Sequence, residues 1–100
     1  MDSDTILKQI LINFTAKGYS QVPGYNRFGY IGQTDSAVIV SRETGQDTKI
    51  PFAKILMGIE AVKQKRSVYD AGPASLRDFE ITHINSPIWS LLHMVPKSDY

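Results

Sequence analysis

The sequence predicts an α+β domain, because a helical pattern comes first, short β-branched and aromatic runs separated by turns follow, and further helical segments end the chain. Its 100 residues, 42% of them hydrophobic, are enough for one core, so we expect a single compact domain over residues 1–100. The predicted order is an N-terminal helix, a three-stranded antiparallel sheet, and three helices, of which the last two form a helix-turn-helix.

The N-terminal helix is predicted from apolar residues at helical spacing. These residues are Ile6, Leu7, Ile10, Leu11 and Phe14. Ser3 or Asp4 can cap the helix by accepting from the free N–H groups of its first turn. Gly18 is expected to end it, and residues 19–27 are expected to form an irregular connection because they are rich in Gly, Pro, Asn and Ser.

Three strands are expected between residues 28 and 50. Residues 28–31 and 36–41 are rich in aromatic and β-branched side chains, and the polar link between them suits a hairpin. Gly45 can take a positive φ in a second turn, after which residues 47–50 return as the third strand. A three-stranded meander is the simplest arrangement of these segments.

The remaining helices are predicted from apolar spacing and from proline. The second helix follows Pro51, a residue favoured in a first helical turn. Its apolar face, which can cover the sheet, consists of Phe52, Ile55, Leu56, Ile59 and Val62. We expect a loop at residues 67–73, a third helix over 73–79 and a fourth over 87–95, which Ser86 caps and Pro96 stops.

The last two helices, joined by a tight turn, have the arrangement of a motif that enters a DNA groove. Early residues of the second helix read base edges in such motifs, and the readers here would be His83, Asn85, Ser86 and Ser90. The same segment also suits burial in a core, since its apolar residues recur at helical spacing. These residues are Leu76, Phe79, Ile84, Ile88, Leu91 and Leu92.

Positive charge lies beside this helical pair rather than on it. Residues 42–66 contain six basic and three acidic side chains, whereas residues 67–100 contain two basic and four acidic ones. On one face, the basic residues would form a stripe able to follow phosphate groups. They are Arg42, Lys49, Lys54, Lys63, Lys65 and Arg66, and Arg77 lies on the third helix. Tyr25, Arg27 and Tyr30 could add stacking for single-stranded nucleic acid, or cover the sheet edge.

The chain resembles the small winged-helix-like modules appended to some bacterial restriction enzymes, over about residues 37–96. The resemblance rests on the hairpin that runs into residues 49–55, on Ser75-Leu76-Arg77, and on residues 86–92 followed by Val95-Pro96. It implies a winged-helix-like C-terminal part that recognises DNA or supports a recognition domain, with basic residues of the hairpin and helices on the DNA backbone. No catalytic residue carries over from that family.

The sequence gives little support to catalysis or to cofactor binding. The chain has no cysteine, which excludes disulfides, thiolate catalysis and Cys-based metal sites. His83 and His93 lack acidic neighbours at a ligand spacing, and no glycine-rich phosphate loop is present. We therefore expect no enzyme, metal or cofactor. The acidic N-terminus and the short apolar runs lead us to expect a cytoplasmic protein without a membrane partner.

Two functions remain open from sequence. The first is a nucleic-acid-associated domain that binds double-stranded DNA through the helix-turn-helix and the basic residues. The second is a protein-interaction or regulatory module that binds a larger enzyme or a second copy of itself. The formal net charge of only +1 and the many aromatic side chains favour this alternative.

Overall fold

The computed structural model describes residues 1–100 and confirms the α+β architecture. Helices cover one face of an antiparallel sheet, the face that carries Phe28, Val38, Val40 and Ile50. The helices are α1 (Ser3–Lys17), α2 (Phe52–Gln64), α3 (Val68–Ala71), a 3₁₀ helix (Pro73–Phe79), α4 (Asn85–Leu92) and a final 3₁₀ turn (Lys97–Asp99). The strands are β1 (Tyr19–Ser20), β2 (Phe28–Gln33), β3 (Ala37–Arg42) and β4 (Thr48–Pro51).

The sheet has four strands in the order β1-β2-β3-β4, so the three-strand prediction is wrong. The additional strand is only two residues long, and it pairs Tyr19 with Gly29 and Ser20 with Phe28. It starts directly after Gly18, which takes a left-handed conformation with φ 84° and ends α1 as predicted. A strand of two residues is too short to show an alternation of apolar and polar side chains. Its residues were therefore predicted to belong to the irregular connection at residues 19–27.

Helix α1 begins one residue earlier than its predicted caps. Asp2 is the N-cap, and its carboxylate accepts a hydrogen bond from the Thr5 backbone N–H at 2.8 Å. Ser3 and Asp4 instead lie inside the first turn. The apolar face then buries Ile6 and Ile10 in the core, as the helical spacing indicates.

The C-terminal third differs in detail from the sequence prediction. The predicted loop after α2 contains the short helix α3, and the predicted third helix is a 3₁₀ helix. The last helix spans Asn85–Leu92 rather than 87–95. Two non-glycine residues, Glu80 and His83, adopt positive φ in the connection between the 3₁₀ helix and α4. The winged-helix-like description of this region stays a prediction.

Helix α4 lies at the centre of the core and packs closely on α2. Gly58 of α2 makes this approach possible, because a Cβ atom there would lie 2.9 Å from Ile88 Cγ2 of α4. All the residues of α4 are buried except Ser86. None of the helices combines the length and the apolar character needed to cross a membrane.

Candidate functional site

The predicted base-reading helix is buried, so two of its proposed readers cannot contact DNA. Asn85 is 7% exposed, and its side-chain amide donates to the Pro73 carbonyl oxygen at 3.1 Å. Ser90 is 1% exposed, and its hydroxyl lies 2.7 Å from the hydroxyl of Ser20 on β1. The assignment of Asn85 and Ser90 to base reading is therefore wrong, because both side chains bind other parts of the core.

The other predicted residues of this tail lie at the surface. His83 is exposed in the connection before α4, with a φ of 63°. Ser86 is partly exposed at the first turn of α4, and Arg77 is exposed on the 3₁₀ helix. These three side chains remain available to a ligand, but α4, the helix predicted to enter a groove, is buried.

The two basic residues of the sheet point to opposite faces. Val40 pairs with Thr48 and Ile39 pairs with Lys49, so Lys49 shares the outer face with Ile39. Arg42 lies two residues after Val40 and shares the helix-covered side, where its guanidinium carbon lies 5.8 Å from the Phe28 ring centroid. Arg42 and Lys49 therefore cannot contact the same phosphate chain from one face.

The basic residues of α2 and its C-terminal end are also separated. Lys54 and Lys63 are nine positions apart on the helix, which places them about half a turn from each other. The Lys63 ammonium donates to the Met1 carbonyl oxygen at 3.0 Å. Lys65 is exposed just past the helix. Whether the basic residues share one face was open from the sequence; Arg42 and Lys49 lie on opposite faces of the sheet, and Lys54 and Lys63 on opposite sides of α2.

The Arg66 side chain is committed to the C-terminus of the chain. Its guanidinium donates to the carbonyl oxygens of Tyr100 at 2.9 Å and Lys97 at 3.0 Å. These bonds hold the final 3₁₀ turn against the end of α2. Arg66 thus has a structural role that accounts for its charge.

An aromatic cleft opens between the loop before β2 and the start of α4. It measures about 170 Å³, and its walls include Tyr25 and Trp89, whose ring centroids are 4.9 Å apart. We call this site the Tyr25 cleft. Its lining consists of Gly24, Tyr25, Asn26, Phe28, Pro73, Ser86, Trp89 and Ser90.

The back wall of the Tyr25 cleft is rigidly held. The Trp89 indole N–H donates to the Val68 carbonyl oxygen at 2.9 Å, and its ring lies 4.5 Å from that of His93. The His93 ring in turn packs 3.9 Å from Tyr69 and donates to the Tyr69 carbonyl oxygen at 2.8 Å. Burial, the largest influence, lowers the pKa of His93 below its usual 6.5, so the neutral ring is favoured in this packing.

The front wall of the cleft is the exposed side chain of Tyr25. The ring is 45% exposed, and its loop is fixed by the Gln21 side chain, which donates to the Tyr25 carbonyl oxygen at 3.1 Å. The Tyr25 hydroxyl also lies close to Gly72, 3.2 Å from the position that a Cβ atom of that residue would occupy. The Tyr25 ring therefore covers the Trp89 ring, which is only 3% exposed, and Tyr25 alone offers exposed aromatic surface.

Two polar side chains of the Tyr25 cleft make no hydrogen bond within the fold. They are the Asn26 amide and the Ser86 hydroxyl. The third, Ser90, is bonded to Ser20 instead. Tyr25 and Ser86 are 61 positions apart in the sequence, and nothing in the sequence indicated that they line one cleft.

A second surface, the α1 groove, is apolar and open. It measures about 520 Å³ and lies between the outer face of α1 and the end of β2. Its lining consists of Lys8, Leu11, Ile12, Thr15, Ala16 and Gln33. Ile12 is 60% exposed, and Ile31 of β2, at the bulge of the strand, is 52% exposed. This surface was not predicted from the sequence, although Ile12 falls outside the apolar face of α1 that the helical spacing predicts.

No group of three or more His, Cys, Asp or Glu side chains lies close enough together to hold a metal ion. Comparisons with known proteins found no similarity: no family model, curated protein or solved structure matches this chain.

Proposed function

We propose that this protein is a non-catalytic protein-interaction module whose partner docks in the α1 groove. The observation that carries this proposal is Ile12, which is 60% exposed within an apolar groove. Exposed apolar surface with a polar rim marks interaction sites in monomeric proteins. By contrast, the helix expected to read DNA is used by the core, and the basic residues are dispersed.

The α1 groove suits an amphipathic helix of a partner protein. Lys8, Ile12 and Ala16 recur four residues apart and form a stripe about 12 Å long on α1. Ala16 is small enough to let a second helix axis approach closely. Lys8 has no acidic partner, because the one salt bridge of the fold joins Lys97 to Asp70. A carboxylate on the partner helix, opposite Lys8, would complement this charge.

The expected energy of docking is concentrated at Ile12. Covering the exposed part of an isoleucine side chain stabilises a complex by about 1–2 kcal/mol. A change of Ile12 to glutamate would remove this gain and place a charge in the interface, while the free protein would lose little stability because the position is exposed. The interaction can therefore be removed without unfolding the chain.

In the direct test, a photo-crosslinking amino acid replaces Ile12, and the variant is irradiated inside the cells that produce the protein. The matched control places it at Thr44, which is exposed in the β3–β4 turn. We expect an adduct at position 12 and none at Thr44, with the crosslink mapped to a helix that carries an acidic residue. A charge-reversal change, Lys8→Glu, should reduce the adduct.

The mass of the crosslinked adduct distinguishes the possible occupants of the α1 groove. An adduct of twice the chain mass would identify a second copy as the partner, in place of another protein. The proposal would be overturned if the adduct yield at position 12 were no higher than that at Thr44. It would also be overturned if Lys8→Glu left the adduct yield at position 12 unchanged.

Nucleic-acid binding is the second candidate, and one observation favours it. The guanidinium groups of Arg27 and Arg42 make no salt bridge. That of Arg27 lies over the Tyr19 ring, 3.8 Å from its centroid, and Arg42 lines a surface pocket together with Asn26. Tyr30, expected to help in stacking, packs edge-on against Phe14 at 5.4 Å and is not free for a base. Fluorescence anisotropy with random duplex and single strands at two salt concentrations tests this candidate. Absence of binding, or binding without salt dependence, would exclude a phosphate contact.

A further inference from the structure

Helix α2 carries a second open and mostly apolar surface, which we call the α2 groove. It measures about 300 Å³ and lies between α2 and the end of the 3₁₀ helix. Met57 is partly buried in it, whereas Ala53 and Glu60 are exposed. Its lining consists of Ala53, Leu56, Met57, Glu60, Ala61, Gln64 and Phe79. None of these residues lines the α1 groove, so one molecule presents two separate surfaces.

The exposed stripe of α2 supplies the carboxylate that the α1 groove lacks. Ala53, Met57 and Glu60 are four and three residues apart, a spacing that places them on one face of a helix. Glu60 forms no salt bridge, and Lys8 on α1 forms none either. The Glu60 carboxylate accepts a hydrogen bond from the Ser3 hydroxyl, and an ionised carboxylate keeps further lone pairs for a cation.

The exposed stripes of α1 and α2 match in length and in residue type when the two helices run antiparallel. Each is about 10–12 Å long, with a charged residue at one end, a large apolar residue in the middle and an alanine at the other end. With Lys8 opposite Glu60, Ile12 meets Met57 to within about 1.5 Å along the helix axis. The two alanines then face each other and let the helix axes approach closely.

We propose that the helix bound in the α1 groove is α2 of a second copy of this chain. This inference rests on the proposed function and names the partner of the same groove. Because the two contacting surfaces differ, each copy uses its α1 groove toward one neighbour and its α2 groove toward the other. Such a contact joins copies head to tail into a ring or an open filament.

The lysines of α2 do not oppose this contact. Lys54 and Lys63 leave the helix about a quarter turn to either side of the exposed stripe. The Lys63 ammonium also donates to the Met1 carbonyl oxygen of its own copy. The stripe that meets Lys8 therefore contains one carboxylate and no cation.

Self-association of the purified chain tests this inference with no other protein present. Sedimentation velocity should show species that grow in size with concentration up to the millimolar range, because small interfaces bind weakly. A photo-crosslinking amino acid at position 12 of the purified chain should give an adduct of twice the chain mass. The crosslink should map to α2 of the other copy, at or next to Met57.

Charge reversal on each side of the contact gives a matched pair of variants. Lys8→Glu places two carboxylates opposite each other, and Glu60→Lys places two ammonium groups there. Each variant alone should therefore associate at least about tenfold more weakly than the original chain. In an equimolar mixture, every contact between unlike variants again joins opposite charges, so association should return. Its return would also show that both variants are folded.

Two control variants separate the charge of Glu60 from other effects of its replacement. Asp47→Lys makes the same change of charge in the exposed β3–β4 turn. Ser3→Ala removes only the hydroxyl that donates to Glu60. Both controls should associate like the original chain.

The inference and the proposed function fail on different results. A monomer at every concentration would overturn the inference, and so would a mixture that associates no better than the separate variants. In cells, an adduct at position 12 that contains another protein would also overturn it, while docking in the α1 groove would stand. An adduct yield no higher than that at Thr44 would instead refute docking in the α1 groove itself.

Discussion

The Ser20–Ser90 hydroxyl pair gives the sharpest test of whether α4 belongs to the core. The two oxygens are 2.7 Å apart, and the residues are only 2% and 1% exposed. Neither hydroxyl forms a hydrogen bond with any other side chain. A change of either serine to alanine therefore leaves one buried hydroxyl without a partner, which costs about 1–3 kcal/mol.

The double change removes both hydroxyls together and leaves no unsatisfied group. Ser20→Ala combined with Ser90→Ala should therefore cost no more than either single change, since matched removal of two partners is nearly neutral. The expected coupling energy between the two sites is about 1–3 kcal/mol. In a domain of this size, a loss of about 2 kcal/mol lowers Tm by roughly 8–16 °C.

Urea unfolding followed by Trp89 fluorescence measures these free energies, with Ser36→Ala as the exposed-serine control that should change stability by less than about 0.5 kcal/mol. If Ser90 were a surface residue that reads bases, its change to alanine would behave like the control. Single changes that are harmless, or that add up in the double variant, would refute the buried hydrogen bond and the core position of α4.

Three further expectations follow from the structure. Burial lowers the pKa of His93 below 6.5, so the unfolded chain binds a proton at this position more readily than the folded chain does. The free energy of unfolding should therefore decline as pH falls below about 6.5. His93→Gln should reduce this decline, as measured by urea midpoints between acidic and neutral pH. Gly72 has φ 92° and ψ 169°, a backbone region that almost only glycine adopts. Gly72→Ala should therefore lower the free energy of unfolding by about 1–3 kcal/mol. Gly32→Ala should lower it by less, because a Cβ atom at Gly32 would meet no atom within 4 Å. Random duplex DNA should bind no more tightly than about 10⁻⁴ M at physiological salt, because no exposed helix carries a basic stripe; micromolar, salt-dependent binding would contradict the dispersed charges.

Much of the fold was predictable because its long elements carry strong patterns. The apolar spacing of α1 and α2 located both helices to within a residue or two, and Gly18 marked the end of α1 through a backbone requirement that few other residues meet. β1 was missed because two residues have no measurable period. The 3₁₀ geometry of residues 73–79 was also missed, since side-chain spacing does not distinguish a short 3₁₀ helix from an α-helix.

The candidate site was less predictable, because it depends on which residues meet in space. Ser86 and Tyr25 are far apart in the chain and line one cleft, whereas Arg42 and Lys49 are close in sequence and point to opposite faces. Both outcomes follow from the tertiary arrangement of β2, β3 and α4. Residue type alone gave no information on this arrangement, and a count of basic residues could not say whether they share one face.

The packing of α4 explains why the helix predicted to read DNA lies in the interior and not at the surface. A recognition helix must leave one side free for the groove, yet in this small fold α4 contributes Ile88, Leu91 and Leu92 to the core and packs against α2 through Gly58. A small domain buries a modest fraction of its surface, so exposing such a helix would remove a large part of the core. The surface left for a partner is consequently one that the core does not need, the outer face of α1.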